Sequence, residues 1–285
     1  MRLWRWAGLL GALLLLGGCQ RLVTPLERQL PPAAPASVTD APVVSVAACW
    51  EAEPLAELLH TSFRVLEPAS TVLVTLTDNE QALALLENQQ ATLGLVSTPR
   101  GIAPNLPPGW IARELAVDGL ALVASPALGL ASITARDLAR LYGGYIVDWS
   151  ELEAGAGEPL FVTRERGALL RQIFTDTIMG ETPISSAAAV QPHTQAALSF
   201  IAGMANALAY VPAAQVDNGV KVVALGDKLP TASQIEHGGY PLTFSLWLVL
   251  PVESDGRADA GALRLASHAL SSRGARAIER VYARP

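Results

Sequence analysis

Strands and helices alternate from Val43 to Val96, and that alternation restricts the fold more than any other feature of the chain. Val43–Ala47 is an apolar, β-rich run. It leads through Ala48–Glu53 into a helix over Pro54–Leu66, with Leu55, Leu58, Leu59, Phe63 and Leu66 on one face and Pro54 suited to the first turn. Thr71–Leu76 alternates, placing Val72, Val74 and Leu76 on one side of a strand. After the polar Thr77-Asp78-Asn79, either Asp78 or Asn79 is suited to cap a helix over Glu80–Glu87. Thr92–Val96 is a third short strand, ending at Ser97-Thr98-Pro99-Arg100. A β-α-β-α-β order predicts a largely parallel sheet, with functional loops at the carboxyl ends of its strands. With 285 residues, 51% hydrophobic and 16% charged, the chain can build two modest α/β lobes.

A second segment, Glu158–Phe174, reads as a candidate anion cradle. Leu160, Phe161 and Val162 form a strand that enters the turn Thr163-Arg164-Glu165-Arg166-Gly167. Leu169, Leu170, Ile173 and Phe174 then share one face of a helix. A strand entering a glycine turn that opens a helix points unpaired N–H groups and the positive end of the helix dipole at one spot. Arg164 before the turn and Arg171 inside the helix add guanidinium forks suited to oxyanions. The same residues also fit an ordinary connection in which Arg164 pairs with Glu165, Glu158 or Glu51.

The rest of the body continues the α/β pattern. Leu115–Asp118 and Gly119–Ala124 supply strand, Ser132–Leu141 a helix, and Thr194–Ala205 another. Ala207–Val211, Lys221–Leu225 and Thr243–Leu250 read as strands, Gly226–Gly239 as a polar loop, and Ala260–Tyr282 as one long helix. His60, His193, His237 and His268 have no metal-ligand spacing, and there is no Gly-x-Ser-x-Gly or paired-acid motif, so neither a metal, a cofactor nor catalysis is predicted. His60 and His268 are expected on helix surfaces.

The N-terminus reads as an address. Arg2 and Arg5 precede the apolar run Trp6–Leu16, which ends in Leu16-Gly17-Gly18-Cys19. The run is shorter than the ~20 residues a spanning helix needs. Leu16-Gly17-Gly18-Cys19 resembles the lipobox of bacterial lipoproteins, which implies that residues 1–18 are a signal peptide and Cys19 the lipidated first residue of an exported, membrane-anchored protein. The alternative is a plain secretory signal with an incidental cysteine. Residues 19–42, with Pro25, Pro31, Pro32, Pro35 and Pro42, read as a tether. Without residues 1–18 the chain loses two arginines and no acid, so its formal charge of −6 becomes −8, which argues against nucleic acid as a partner. The other cysteine, Cys49, is either a buried small hydrophobe or a reactive thiol, and no neighbouring His or Asp favours the second.

Several segments in order carry a family resemblance. LARLYGGYIVDWSEL (Leu138–Leu152) resembles the helix, glycine turn and Trp-Ser-Glu-Leu segment of solute-binding proteins from phosphate-type ABC importers. FVTRERGALLR (Phe161–Arg171) falls at the spacing of their Arg-x-x-Gly-Ser-Gly-Thr-Arg loop. LAVDGLALVASP (Leu115–Pro126), AYVPAAQVDNGVKVVAL (Ala209–Leu225) and LPTASQIEHGGYPLTFSLWLV (Leu229–Val249) resemble their interlobe and second-lobe strands. The resemblance spans residues 43–285. It implies a periplasmic-binding-protein-like fold of type II, two mixed α/β lobes joined by two crossover strands. Residues 43–121 plus 246–285 would form lobe one and residues 122–245 lobe two, closing on one small ligand.

The resemblance also implies ligand residues, and here the chain departs from the family. Arg164 matches the loop arginine, Gly167 its first glycine and Arg171 the trailing arginine, but the serine falls on Ala168, the second glycine on Leu169 and the threonine on Leu170. The family's Gly-Ser-Ser-Thr region falls on Ala48-Cys49-Trp50-Glu51, and a Gly/Ser-rich turn on Thr77-Asp78-Asn79-Glu80. Ser97 and Thr98 keep hydroxyls. Losing two or three donors and gaining Glu51 would forfeit roughly 4 kcal/mol, about a thousandfold in affinity. The expected function is that of a monomeric, lipid-anchored importer subunit delivering a small anion, phosphate by default, to an ABC permease. The alternative is the same fold with a different ligand or none, acting as a sensor or partner-binding module, with Trp50 stacking on an organic solute or simply packed in the core.

Overall fold

The computed structural model describes residues 43–253 and 255–285. The segments expected to be a signal peptide and a tether, and the expected lipidation site Cys19, lie outside the described residues.

The first lobe forms as the alternation requires. Strand β1 (Val43–Cys49) enters a 3-10 turn, Trp50–Ala52, and then α1 (Glu53–Leu66). Strand β2 (Thr71–Thr77), α2 (Asn79–Glu87) and β3 (Leu93–Pro99) follow, and β1 pairs in parallel with both β2 and β3. Parallel neighbours need a crossover, which the two helices supply. Helix α1 buries Leu55, Ala56, Leu59 and Phe63, while Leu66 at its end is exposed. Of the alternating set in β2 only Val72 is buried, because β2 is the sheet edge and pairs with β1 alone.

Strand β4 (Ile111–Ala124) is a single element of 14 residues, where the sequence reads as two runs. Next come β5 (Ser132–Ile133), α3 (Ala135–Tyr142), a 3-10 turn over Trp149–Leu152, β6 (Leu160–Thr163) and α4 (Leu169–Phe174). A π-helical turn, Thr175–Met179, β7 (Ala189–Val190), α5 (Thr194–Gly203), β8 (Ala207–Pro212), a 3-10 turn over Ala213–Gln215 and β9 (Lys221–Leu225) complete the second lobe's sheet. Helix α6 (Ala232–Glu236) lies inside the stretch that reads as a polar loop; Thr231 caps it by accepting a bond from Gln234 N at 3.3 Å. The chain then returns through β10 (Thr243–Leu250) to α7 (Ala260–Leu270) and α8 (Ser272–Ile278).

The C-terminal helix is therefore two helices, not one. Ser271 takes an extended backbone, φ −70° and ψ 160°, and its Oγ accepts from Gly274 N at 3.1 Å, ending α7 and capping α8. His268 is buried rather than on a surface: it stands 2.8 Å from Ser62 Oγ and against Phe63, where α7 packs on α1. Burial and the nearby Arg273 push its pKa down.

Both lobes share one mixed sheet, β2-β1-β3-β10-β4-β8-β6-β7, with β9 pairing β4 and β5. Strand β4 pairs with β10 from Ile111 to Gly119 and with β8 from Leu120 to Ala124, so it crosses from one lobe to the other. The returning segment lies beside it: Leu120 N donates to the Leu242 carbonyl at 2.8 Å, and Tyr240 OH to the Leu120 carbonyl at 2.7 Å. A Cβ at Gly119 would stand 3.0 Å from Ile235 Cδ1 and 3.4 Å from the Leu242 carbonyl oxygen, so close approach of the two crossings favours glycine there. The second lobe is centred on Tyr142, Phe161, Phe174 and Tyr210, whose rings pack at 4.4–5.9 Å. Trp149 of the Trp-Ser-Glu-Leu segment is fully buried, its indole N–H donating to the Asn206 carbonyl at 2.8 Å.

Candidate ligand-binding cleft

Three strands end at one cavity of about 300 Å³. Trp50 and Glu51 follow β1, residues 78–80 follow β2, and residues 164–169 follow β6, so both lobes contribute walls. Among the residues expected at a ligand, the structure brings together Trp50, Glu51, Asp78, Arg164, Gly167 and Ala168.

Arg164 is the buried cation of the site, 3% exposed. Its Nη2 donates to the Pro192 carbonyl at 2.6 Å, and its backbone N–H donates to Tyr210 OH at 3.3 Å. Nε lies 3.6 Å from Glu165 Oε2, an ion-pair distance, and makes no hydrogen bond. Arg171 stands outside the cavity and donates from Nη1 to the Arg164 carbonyl at 2.7 Å, holding the arginine loop from behind. The turn that carries Arg164 needs its glycine for backbone conformation: Gly167 has φ 93°, with open space where a Cβ would stand. Ala168 precedes α4 in an extended conformation with no side-chain cap, and its N–H donates to the Glu165 carbonyl at 3.3 Å.

Glu51 is the buried anion, 6% exposed, in the middle of the 3-10 turn that leads into α1. Ser97 Oγ donates to Glu51 Oε2 at 3.2 Å. The same hydroxyl accepts from Asn79 Nδ2 at 3.1 Å and from the Cys49 thiol at 3.3 Å, and Ser97 N–H donates to Asn79 Oδ1 at 2.8 Å. Ser97 thus serves Glu51 and does not line the cavity. Thr98 does not line it either: its hydroxyl donates to the Ile102 carbonyl at 2.6 Å and accepts from Trp247 Nε1 at 2.8 Å. Strand alternation explains the pair, since adjacent residues of β3 point to opposite faces. Cys49 is fully buried, and burial together with the Glu51 charge raises its thiol pKa, so the thiolate that nucleophilic chemistry needs is disfavoured.

Asp78 lines the cavity while capping α2, its Oδ1 accepting from Gln81 N at 2.7 Å. Trp50 joins the lobes: its ring stacks on His193 with centroids 5.3 Å apart, and its carbonyl accepts from Gln215 Nε2 at 2.6 Å. His193 also caps α5, accepting from Ala196 N at 3.3 Å. Sequence reasoning missed His193 and Gln215, and no local motif marks either. Asn79, Glu80, Glu165 and Arg166 also line the cavity or border it through the loops already singled out. Among the described residues no group of three or more His, Cys, Asp and Glu side chains is placed to hold a metal ion.

Fold and cleft define a two-lobed α/β protein of the periplasmic-binding-protein-like fold. A family model described as a PBP superfamily domain matches residues 34–263, and the chain belongs to that superfamily. The fold is similar to that of a Clostridium perfringens protein described as a phosphate ABC transporter substrate-binding protein and solved with bound phosphate. That likeness has a TM-score of 0.73 at 18% identity, covering 84% of this chain and 98% of the other. It is similar too to an ABC-type phosphate transport receptor from Vibrio cholerae, with a TM-score of 0.61 at 20% identity over 85% of this chain and all (100%) of that one. The reduced OxyR regulatory domain of Pseudomonas aeruginosa shares the fold more loosely, with a TM-score of 0.54 at 11% identity, over 80% of this chain and 96% of that one. Among the described residues no helix is long and apolar enough to cross a membrane.

Proposed function

We propose that this chain is the extracytoplasmic solute-binding subunit of an ABC importer, tethered through lipid on Cys19, and that it captures a small oxyanion-bearing solute between its lobes. Residues 43–121 with 246–285 would move as one lobe and residues 122–245 as the other, closing about the crossings at Gly119 and Leu242. The observation that carries the reading is Arg164: a guanidinium 3% exposed, on the wall of an interlobe cavity, with a buried Nε that makes no hydrogen bond. Superfamily membership and the likeness to two phosphate-transport receptors support the importer role. Inorganic phosphate is the simplest solute of the class.

Isothermal titration of the full chain in detergent against phosphate and sulfate tests this. Micromolar binding is expected, falling about ten- to a hundredfold in Arg164→Ala, since a charge-assisted bond contributes roughly 1.5–3 kcal/mol. Anion affinity unchanged by Arg164→Ala would remove the proposed role.

A second reading, a binding-protein fold serving as sensor or partner-binding module, draws on one observation. Ser97 and Thr98 spend their hydroxyls on the protein, so the cavity lacks donors that a phosphate receptor would use. Binding of a partner protein with no response to any small anion would favour it.

A further inference from the structure

Two buried charges of opposite sign line one cavity. Arg164 is 3% exposed and Glu51 6%. Arg164 has a carboxylate beside it, Glu165 at 3.6 Å, but Glu51 takes part in no ion pair among the described residues and has Ser97 Oγ as a hydroxyl donor at 3.2 Å. A carboxylate so far from water is costly unless a cation or several donors meet it. The wall as a whole is acidic, with Glu51, Asp78, Glu80 and Glu165 against Arg164 and Arg166. A free dianion entering there gains Arg164 but meets the buried Glu51, where repulsion from a like charge is least screened, while Asp78, Glu80 and Glu165 are exposed and add a weaker, water-screened repulsion. Size points the same way. A single tetrahedral oxyanion takes the space of a few waters, at about 30 Å³ each, well short of the cavity of about 300 Å³. Trp50 adds an indole to the wall beside Glu51, a surface that attracts an ammonium group.

On the solute-binding reading above, we infer that the cleft selects a small zwitterion, an oxyanion joined to an ammonium group, over a free oxyanion. The anionic head meets Arg164, and the ammonium meets Glu51 and Trp50. Carboxylate and phosphonate heads share this chemistry, so amino acids and aminoalkylphosphonates are the two sources to separate.

The test is a set of titrations on the full chain in detergent, using probes matched except for the amine. These are 2-aminoethylphosphonate against ethylphosphonate, β-alanine against propionate, and inorganic phosphate alone. In the wild-type protein the amine should raise affinity about tenfold or more in at least one pair, the scale of a charge-assisted bond at ~1.4 kcal/mol per factor of ten. Which pair responds identifies the head group. Glu51→Gln should bring that ratio close to one. Binding of phosphate or of the amine-free probes as tightly as their amine partners would overturn the inference and leave the solute-binding reading standing. No binding by any probe to a cooperatively folded protein would overturn both. The wild-type ratio needs no variant, so misfolding of Glu51→Gln leaves the inference open to refutation.

Discussion

Asp118 stands where β4 crosses between the lobes, 2% exposed, accepting from Gly119 N at 2.8 Å and from Ala214 N at 3.2 Å. Burial outweighs those two bonds and pushes its pKa up to about 7. A carboxyl whose pKa is higher folded than unfolded binds its proton more tightly in the native state. Its contribution to stability is fully present below the unfolded value near 4 and is lost as pH rises to about 7. From this group alone the wild-type protein should be more stable at pH 4 than at pH 8 by up to about 4 kcal/mol. Asp118→Asn should flatten that part of the urea-denaturation profile, the other titrating groups cancelling in the comparison. A variant profile parallel to the wild type would show that Asp118 ionises freely at the crossing. This role was not legible in the sequence, where Asp118 sits in an apolar strand with no partner nearby. Arg164 and Gly167 were legible, because a strand, a cationic turn and a helix start are adjacent in the chain. His193 was not, since its stacking on Trp50 is made by the tertiary fold.

Among the elements, those with a strong local period were legible and those ended by side-chain chemistry were not. Strand β10 falls on Thr243–Leu250 as its apolar run requires, and α2 starts at the Asp78 cap. The break between α7 and α8 was hidden, because the apolar positions Leu263, Leu270, Ile278 and Val281 run on across it. What ends α7 is Ser271, whose hydroxyl donates to the His268 carbonyl at 2.7 Å and accepts from Gly274 N at 3.1 Å. A serine side chain that serves both helix ends competes with helix continuation. Ser271→Ala should therefore destabilise the protein by about 1 kcal/mol, the usual worth of an N-cap, with an unchanged urea slope. Stability within a few tenths of wild type would mean that the bend is held by packing of His268 and Ile278 alone.

At the scale of the molecule, the two-lobed plan was legible from the order of its segments, whereas the bonds that tie the lobes across the cleft were not. Arg100, at the end of the first lobe's β3, donates from Nη1 to the Ile235 carbonyl at 2.6 Å and from Nη2 to the Glu236 carbonyl at 3.4 Å. Gln215 Nε2 donates to the Trp50 carbonyl at 2.6 Å, and Trp50 stacks on His193. Opening the cleft would break all of these, so they bias the lobes toward the closed arrangement independently of any solute. Removing them penalises only the closed arrangement, because in the open one the same groups return to water. The double variant Arg100→Ala, Gln215→Ala should thus shift the population toward open forms by roughly 2–3 kcal/mol, taking one charged and one neutral bond together. Small-angle scattering would show a larger radius of gyration in the variant, restored by saturating solute. The apparent affinity should fall about ten- to a hundredfold although neither side chain lines the cavity, since a solute gripped from both lobes must first restore the closed form. Scattering and affinity both indistinguishable from wild type would mean that the lobes are a rigid pair and that selection rests on the cavity wall alone.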